Sequence, residues 1–416
     1  MKPQKLFFLS ILLFALFPIL PNRLKGLPVI VFFLCSIFVF FKYKRTKKIN
    51  LKKVFFFSGI YLFYLLSLFY TESFISIDKT LSTRLSLIII PISFGFLSTV
   101  INKIDEHLFK LFSKIYFSAT VLFCLVVINT IYNLEYYLEK VTINEVYQTL
   151  TSNMYGIEQH PIYASVLISI AIFLSVFVLR KTNNIYEKMF LVFGNIILLF
   201  TLFFFSRKAV ILAIFLAFTI FIITNFKRVK VKRMFLITTL IFTAMILATP
   251  VVKKRFKEMF HSVTYSKISP DNSSSIRFGI YKCTIETIKR NTITGYGVGD
   301  VDLALQQCYS KTSKILVDGN YNSHNQYLGI ALACGIFGLL FFVLFLYYNM
   351  KKAIQDQNKL FLVIVVFYII VMFFENLLER QSGVIIFAFY ICFFNFIKIV
   401  KTNPIALEKK DNHHRS

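Results

Sequence analysis

Long apolar runs recur along this chain from Leu6 to Val400, and short connectors rich in Lys and Arg separate them. A soluble core needs stripes or alternation of apolar residues, whereas uninterrupted runs of this kind suit the hydrocarbon interior of a bilayer. The composition agrees, since 57% of the 416 residues are hydrophobic and only 16% are charged. The sequence therefore predicts an all-α, polytopic membrane protein with about twelve transmembrane helices and one large helical loop.

The apolar runs bounded by charged residues give twelve spans, at 6–20, 27–41, 54–70, 81–99, 115–131, 161–179, 186–205, 209–224, 234–249, 325–349, 360–374 and 382–397. Some are shorter than a straight span needs, but bilayer thinning and snorkelling Lys or Arg side chains absorb the difference. The first run resembles a secretory signal, yet no small residues mark a cleavage site, so we interpret it as a helix. Spans one to nine fill 1–249, a loop occupies 250–324, spans ten to twelve fill 325–397, and 398–416 is a tail.

The basic residues predict the orientation of these spans. Segment 42–53 alone carries seven Lys and Arg residues and favours the cytoplasm. Both termini then lie inside a bacterial inner membrane, and the loop at 250–324 lies on the periplasmic side. The net charge of +27 could suit a nucleic-acid partner, but its placement in short connectors is typical of topology signals and of contact with anionic headgroups. We therefore expect the basic residues to contact the lipid bilayer, and we expect no nucleic-acid partner.

The loop at 250–324 carries two helical patterns. Apolar residues recur at helical spacing across 252–263 among basic ones, which predicts an interfacial helix. Asn272 and the serines after it supply N-cap chemistry for a second short helix with apolar residues from Ile276 to Ile288, before a turn at Gly295–Gly299. This glycine pattern lacks the strand-turn-helix context of a dinucleotide site. The loop is thus predicted to be a helical lid.

Two cysteines, Cys283 and Cys308, lie in this lid, while the other four fall elsewhere and are expected to be small apolar residues. An oxidising compartment permits a disulfide between Cys283 and Cys308, although a pair with this spacing can also stay reduced. We find no Walker-type loop and no zinc-binding motif, so neither a metal nor a cofactor is predicted.

Ionisable groups near membrane depth are costly unless they face a cavity or a partner, so each is a functional candidate. His160, Arg207, Arg277 and His324 qualify, and all four map to the same outer face. Arg207 with Lys208 could form a plain interfacial turn. Because their hairpin is short and lies where positive charge is disfavoured, a diphosphate partner is the alternative.

His324 could be an interfacial histidine at a helix start. Its neighbours Ser323, Asn325 and Gln326 add hydrogen-bonding groups at a helix N-terminus, which also favours an anion. A neutral imidazole there could accept a proton from a hydroxyl nucleophile.

The remaining candidates also have structural interpretations. His160 could be a helix-entry residue and Arg277 a solvated residue of the lid. Glu375, Glu379 and Arg380 could form an ion-paired turn between spans eleven and twelve. Their convergence on one face is what these interpretations leave unexplained.

Taken together, these residues resemble the O-antigen ligase and O-antigen polymerase superfamily of bacterial membrane glycosyltransferases. The similarity covers most of the chain. It rests on His160-Pro-Ile-Tyr-Ala-Ser, Ser206-Arg207-Lys-Ala, Ser275-Ile-Arg277, Gly295-x-Gly297-x-Gly299, Ser323-His324-Asn-Gln-Tyr-Leu328 and Gly335-Ile-Phe-Gly338.

The resemblance implies an undecaprenyl-diphosphate-linked glycan as donor and a glycolipid or glycan hydroxyl as acceptor, at the periplasmic face. By this analogy Arg207 and Arg277 bind the diphosphate and stabilise its charge as it leaves, and His324 activates the acceptor. The residues expected to contact the substrate around them are His160, Lys208, Asn325, Glu375 and Arg380. No metal or cofactor is required, since arginines neutralise the leaving group.

One position departs from the ligase pattern, because Ala333 stands nine residues after His324, where ligases often have Glu. This departure keeps polymerisation as an alternative, although the resemblance still favours ligase-type transfer. A transporter or flippase is the rival of another class, but it would place ionisable groups near the bilayer midplane. A purely structural partner of glycan-assembly proteins is the third alternative.

Overall fold

The computed structural model describes residues 3–74, 77–137, 148–150, 152, 154–205, 207–225, 232–233, 235–237, 239–240, 243–244, 247, 268–270 and 272–400. We number the main helices of the described residues in chain order. They are α1 Pro3–Ala15, α2 Leu27–Lys42, α3 Leu51–Leu66, α4 Ile77–Arg84, α5 Ser86–Leu97, α6 Glu106–Tyr137, α7 Pro161–Leu179, α8 Ile185–Phe204, α9 Lys208–Asn225, α10 Ser273–Arg290, α11 Val301–Thr312, α12 Lys314–Gly319, α13 Gln326–Gln355, α14 Lys359–Met372 and α15 Gln381–Phe396.

Short elements join these helices. Single 3₁₀ turns occupy Phe17–Ile19, Asn22–Leu24, Ser67–Tyr70 and Leu377–Glu379, and two strands run over Lys103–Asp105 (β1) and Lys398–Val400 (β2). Within the described residues, seven helical segments are long and apolar enough to cross a membrane, and four shorter apolar helices accompany them. The prediction of an all-α polytopic membrane protein is confirmed. The ninth span, 234–249, and the interfacial helix at 252–263 lie largely or wholly outside the described residues.

The centre of the bundle is formed by α7, α14 and α15, whose side chains are mostly buried on every side. Helices that are apolar all round belong in such a position. Phenylalanine rings fill the space between them and their neighbours; Phe389 of α15 stacks on Phe14 of α1 with ring centroids 4.2 Å apart. Such aromatic pairs contribute beyond the area they bury.

One end of the bundle, which we call the β end, carries the strands. Here β1 pairs in parallel with β2, so that Lys103 lies opposite Lys398. The basic segment 42–53 is held at the same end, because Thr46 N donates to Thr99 O at 2.8 Å and Lys53 Nζ donates to Asn395 O at 2.6 Å.

The described part of the lid lies at the opposite end, which we call the lid end. The predicted N-cap at Asn272 is present, since its side chain accepts from the backbone N–H groups of Ser274 and Ser275. Helix α10 carries the predicted apolar residues from Ile276 to Ile288, and α11 and α12 follow it unpredicted. A small core of its own joins these helices, formed by Ile280, Cys283, Leu305, Cys308, Tyr309, Leu316 and Leu332. Cys283 and Cys308 are joined in a disulfide with their Cα atoms 5.6 Å apart.

The glycine turn after α10 fastens the lid to a break in α13. Gly335 has φ of 64°, so α13 is kinked there and the carbonyls before the kink lose their helical partners. The turn supplies replacements, because Tyr296 N donates to Leu332 O at 2.7 Å and Gly297 N donates to Ala333 O at 3.1 Å. Gly295 and Gly297 both have positive φ, and a Cβ at Gly295 would lie 2.6 Å from Leu332 O. Glycine is therefore needed in this turn so that its backbone can come close enough to α13 to form these hydrogen bonds.

Candidate active site

The site is built where four helix starts and one loop meet at the lid end. His160 precedes α7, Lys208 begins α9, Arg277 lies in the first turns of α10, and His324 stands two residues before α13. Glu375 comes from the loop after α14. The residues that sequence analysis placed on one face are thus neighbours in space, although they are far apart along the chain.

Glu375 links two of the predicted catalytic residues. One carboxylate oxygen forms a close ion pair with Arg277, and the other lies 3.3 Å from His324 Nδ1. The Glu375 side chain is only 5% exposed. Burial would raise the pKa of this carboxyl, but Arg277, the hydrogen bond with His324 and the charge of Arg207 hold it below its ordinary value. Glu375 is therefore an anion that orients both partners.

This geometry differs from the turn-internal ion pairing that sequence analysis considered for Glu375 and Arg380. Glu375 pairs instead with Arg277, which lies 98 positions away in the chain. The Arg380 guanidinium lies 5.9 Å from the centre of the Tyr163 ring. Arg380 is exposed at the surface of the site, so its charge remains close to the cluster without joining the pair.

His160 acts first as a helix cap. Its Nδ1 accepts from Ile162 N at 3.4 Å at the start of α7. Burial and then the charges of Arg207 and Arg380 lower its pKa to about 3. The imidazole is consequently neutral at physiological pH, and the electrostatic contacts place it beside both arginines, Glu375 and His324.

Lys208 and Asn325 occupy structural positions within the site. Lys208 Nζ donates to Ser274 Oγ at 2.9 Å, which ties the start of α9 to the start of α10. The side-chain oxygen of Asn325 accepts from Tyr327 N and Leu328 N, so it caps α13. The cap uses only the side-chain oxygen of Asn325, so its amide N–H groups can donate to a ligand.

A hydrogen-bond network fixes the backbone around His324. His324 has φ of 44°, an uncommon conformation for a residue with a side chain. Its N–H donates to Asn322 Oδ1 at 3.0 Å, and its carbonyl accepts from Tyr281 OH at 3.2 Å. Asn376 Nδ2 donates to Ser323 Oγ at 2.9 Å. Strained backbone of this kind persists only where the surroundings fix it, and it clusters at functional sites.

Two groups of residues here were not predicted from the sequence. Tyr281 and Asn376 carry no recognisable signal, because their role depends on distant partners. Arg84 is different: it lies within span four and is only 8% exposed. The rule that ionisable residues in apolar spans are functional candidates applies to Arg84 as well as to the four residues selected.

The arrangement provides four cationic side chains, Arg207, Lys208, Arg277 and Arg380, around the Glu375 carboxylate and two histidines. Excess positive charge of this kind suits a strongly anionic ligand such as a diphosphate. In the described residues no group of three or more His, Cys, Asp or Glu side chains could hold a metal ion.

Comparison with protein families gives one match. Residues 193–343 match the family model described as O-Antigen ligase. This match supports the O-antigen ligase and polymerase superfamily. It covers Arg207, Lys208, Arg277, His324 and Asn325, and it leaves His160, Glu375 and Arg380 outside. Comparison with curated proteins returned no match.

The O-antigen ligase match confirms the resemblance that the sequence motifs suggested. Together with the apolar helices it indicates a multi-pass bacterial membrane protein, and a glycosyltransferase-type enzyme of the membrane. The match extends from α8 through the lid to the middle of α13, so both arginines and His324 lie in the matched region.

Proposed function

We propose that this chain transfers a glycan from an undecaprenyl-diphosphate donor to an acceptor hydroxyl at the periplasmic face of the inner membrane, as an O-antigen ligase does. The observation that carries the proposal is the linked group Arg277–Glu375–His324 with Arg207 beside it. It combines a base with two arginines that suit a diphosphate. The acceptor is a glycolipid, such as lipid A with its core sugars, or another glycan.

His324 is the proposed general base. Its Nδ1 faces the Glu375 anion, which favours the tautomer with the proton on Nδ1 and leaves Nε2 to accept a proton. As Nε2 takes the hydroxyl proton, the acceptor oxygen bonds to the anomeric carbon of the donor sugar. The bond from that carbon to the diphosphate oxygen breaks, and its electron pair leaves with the diphosphate. The proton then passes from His324 to water.

Arg207 and Arg277 are the proposed diphosphate ligands. A guanidinium has five N–H donors, so Arg277 can hold Glu375 and still donate to a phosphate. Charge that develops on the leaving oxygens is stabilised by donors fixed before reaction. Lys208, His160, Asn325 and Arg380 would contribute contacts around them. Direct displacement in one step inverts the configuration at the anomeric carbon.

Polymerisation of a surface polysaccharide is the second candidate, and Ala333 favours keeping it. The chemistry is the same, and only the acceptor differs. Product analysis separates the two: a ligase attaches one glycan to each glycolipid, whereas a polymerase lengthens the lipid-linked chain in repeat units.

The test uses purified full-length protein with lipid-diphosphate glycan and acceptor. We expect His324→Ala to lower kcat by about a thousandfold and Glu375→Gln by about a hundredfold, because one removes the base and the other its orienting anion. Arg277→Gln should raise the KM for the donor as well as lower kcat. Arg290→Gln, on the exposed last turn of the same helix α10, is the matched control and should keep full activity. Unchanged turnover by folded His324→Ala protein would disprove the assignment.

A further inference from the structure

A cavity of about 320 Å³ opens beside Arg207, Arg277, Glu375 and His324, which we call the proposed catalytic cluster. Its walls come from α3, α4, the start of α11, the first turns of α13 and the 3₁₀ turn after α14. This volume lies at the lower end of the range for small-molecule sites. None of the residues assigned above to the diphosphate or to proton transfer lines it.

Arg84 is the charged side chain at the buried side of this cavity, with 8% of its surface exposed. Its Nη1 donates to Thr80 O at 3.1 Å, and its guanidinium carbon lies 4.7 Å from the centre of the Tyr64 ring. The Nε–H has no hydrogen-bond partner among the described residues. A buried donor that stays unsatisfied is costly, so such a group points to a missing acceptor.

Glu379 lines the same cavity and supplies acceptors. One of its oxygens accepts from Asn376 Nδ2 at 2.6 Å, and the other accepts from Asn322 Nδ2. Burial raises the pKa of Glu379, while the charge of Arg84 opposes that effect. The exposed residues Lys79 and Asp302 add one charge of each sign towards the solvent.

The balance of charges distinguishes this cavity from the proposed catalytic cluster. Two cations, Arg84 and Lys79, face two carboxylates, Asp302 and Glu379. A diphosphate would gain little from such a lining, whereas hydroxyl groups donate to carboxylates and accept from guanidinium groups alike. The apolar remainder, including Val298, Val301 and Ala333, suits the C–H surface of a sugar ring.

The cavity communicates with His324 through two asparagines. Asn322 accepts from the His324 backbone N–H and donates to Glu379, and Asn376 follows Glu375 in the chain and also donates to Glu379. A ligand bound to Glu379 would therefore be connected to His324, the proposed base, through the side chain of Asn322.

We propose that this cavity is a sugar subsite that binds one neutral, hydroxyl-rich sugar ring of the glycan substrate, with Arg84 and Glu379 as its principal ligands. The proposal rests on the proposed function, because the ring belongs to a glycan that reacts at His324. The ring is part of either the donor glycan or the acceptor.

The test measures sugar binding by saturation-transfer NMR on full-length protein in detergent. The probes are glucose, galactose and N-acetylglucosamine. Inorganic diphosphate, which has no C–H protons and is therefore followed by line broadening of its phosphorus NMR signal, is the anionic comparison. We expect saturable binding of at least one sugar, weakened at least tenfold by Arg84→Gln and by Ala333→Leu, which fills the cavity from α13. Arg84→Lys should retain part of the binding. Diphosphate binding should stay unchanged in the Arg84→Gln and Ala333→Leu variants. Arg23→Gln, at an exposed arginine that does not line the cavity, should bind sugar as the unmodified protein does.

Sugar binding is independent of turnover, so the two proposals fail separately. His324→Ala protein should bind sugar normally even though it is inactive, whereas full activity in that variant disproves the catalytic proposal and leaves the binding test intact. In the active protein, Arg84→Gln should raise the KM for one substrate: the donor if the ring belongs to the donor, the acceptor otherwise. Absence of saturable sugar binding, or equal binding by folded Arg84→Gln protein, would overturn the subsite.

Discussion

His160 is held neutral in a strongly positive surrounding, and this has a thermodynamic consequence. Its pKa falls to about 3 because the ring is buried and because Arg207 and Arg380 repel a further charge. In an unfolded chain the same side chain has a pKa of about 6.5. The unfolded state therefore binds one more proton than the folded state between these two values, and acid favours unfolding there.

We predict that His160 makes the folded state less stable as pH falls from 7 to 5. The depressed pKa contributes stability that is fully present above pH 6.5 and is lost towards pH 3, so the free energy of unfolding should decrease by about 2 kcal/mol between pH 7 and pH 5. Asn can still cap α7, so His160→Asn should remove this slope and leave the fold intact. Denaturant titrations in detergent at the two pH values measure it.

The control for this prediction is His107, which lies exposed at the start of α6. His107→Asn should keep the pH dependence of the unmodified protein. If His160→Asn protein loses stability on acidification as steeply as the unmodified chain, the neutral state of His160 is refuted.

The residues of the candidate site could be predicted from the sequence, but the contacts between them could not. His160, Arg207, Arg277 and His324 were found because each is an ionisable group next to an apolar span, a property visible locally. The pairing of Arg277 with Glu375 was not predictable, because it depends on the distance between residues 98 positions apart. The orientation of His324 follows from that same contact.

At the scale of secondary-structure elements, the sequence predicted those features that neighbouring residues in the chain stabilise. The N-cap at Asn272 and the helix after it are determined by adjacent residues, so the sequence predicted them. Helices α11 and α12 were not predicted because they are short and carry few apolar residues. They are stabilised by a core shared with α10, and contacts between separate helices are not visible in the local sequence. The kink at Gly335 likewise requires the turn at Gly295, which replaces the lost hydrogen bonds.

We predict that the disulfide stabilises the lid rather than the bundle. It closes a loop of 25 residues between α10 and α11, which restricts the unfolded lid and contributes about 3 kcal/mol. The double variant Cys283→Ser/Cys308→Ser should expose the lid to limited proteolysis more than tenfold faster, while the helix content of the bundle stays the same. Cleavage sites read by mass spectrometry locate the change.

Reduction of the unmodified protein should reproduce the effect of the double variant, and reductant should not change the double variant further. Equal cleavage rates with and without the bridge would show that the core around Tyr309 and Leu316 holds the lid by itself.

At the scale of the whole molecule, the two ends of the bundle differ in charge and in content. The basic segment 42–53 is fixed at the β end by Lys53 and Thr46, whereas the lid and the proposed catalytic cluster occupy the other end. The positive-inside rule assigns such a basic connector to the cytoplasm. The proposed catalytic cluster should then face the periplasm, the side on which the proposed function requires the donor.

The orientation predicts which end a membrane-impermeant maleimide reaches. In a Cys35→Ser background, Asp318→Cys places a thiol on the exposed surface of the lid, and Lys47→Cys places one on the exposed basic segment. The remaining free cysteines, Cys124, Cys334 and Cys392, are buried. We expect the reagent to label Asp318→Cys in intact spheroplasts and Lys47→Cys only after permeabilisation. The reverse pattern would put the arginines and His324 in the cytoplasm, and a donor presented at the periplasmic leaflet could not reach them.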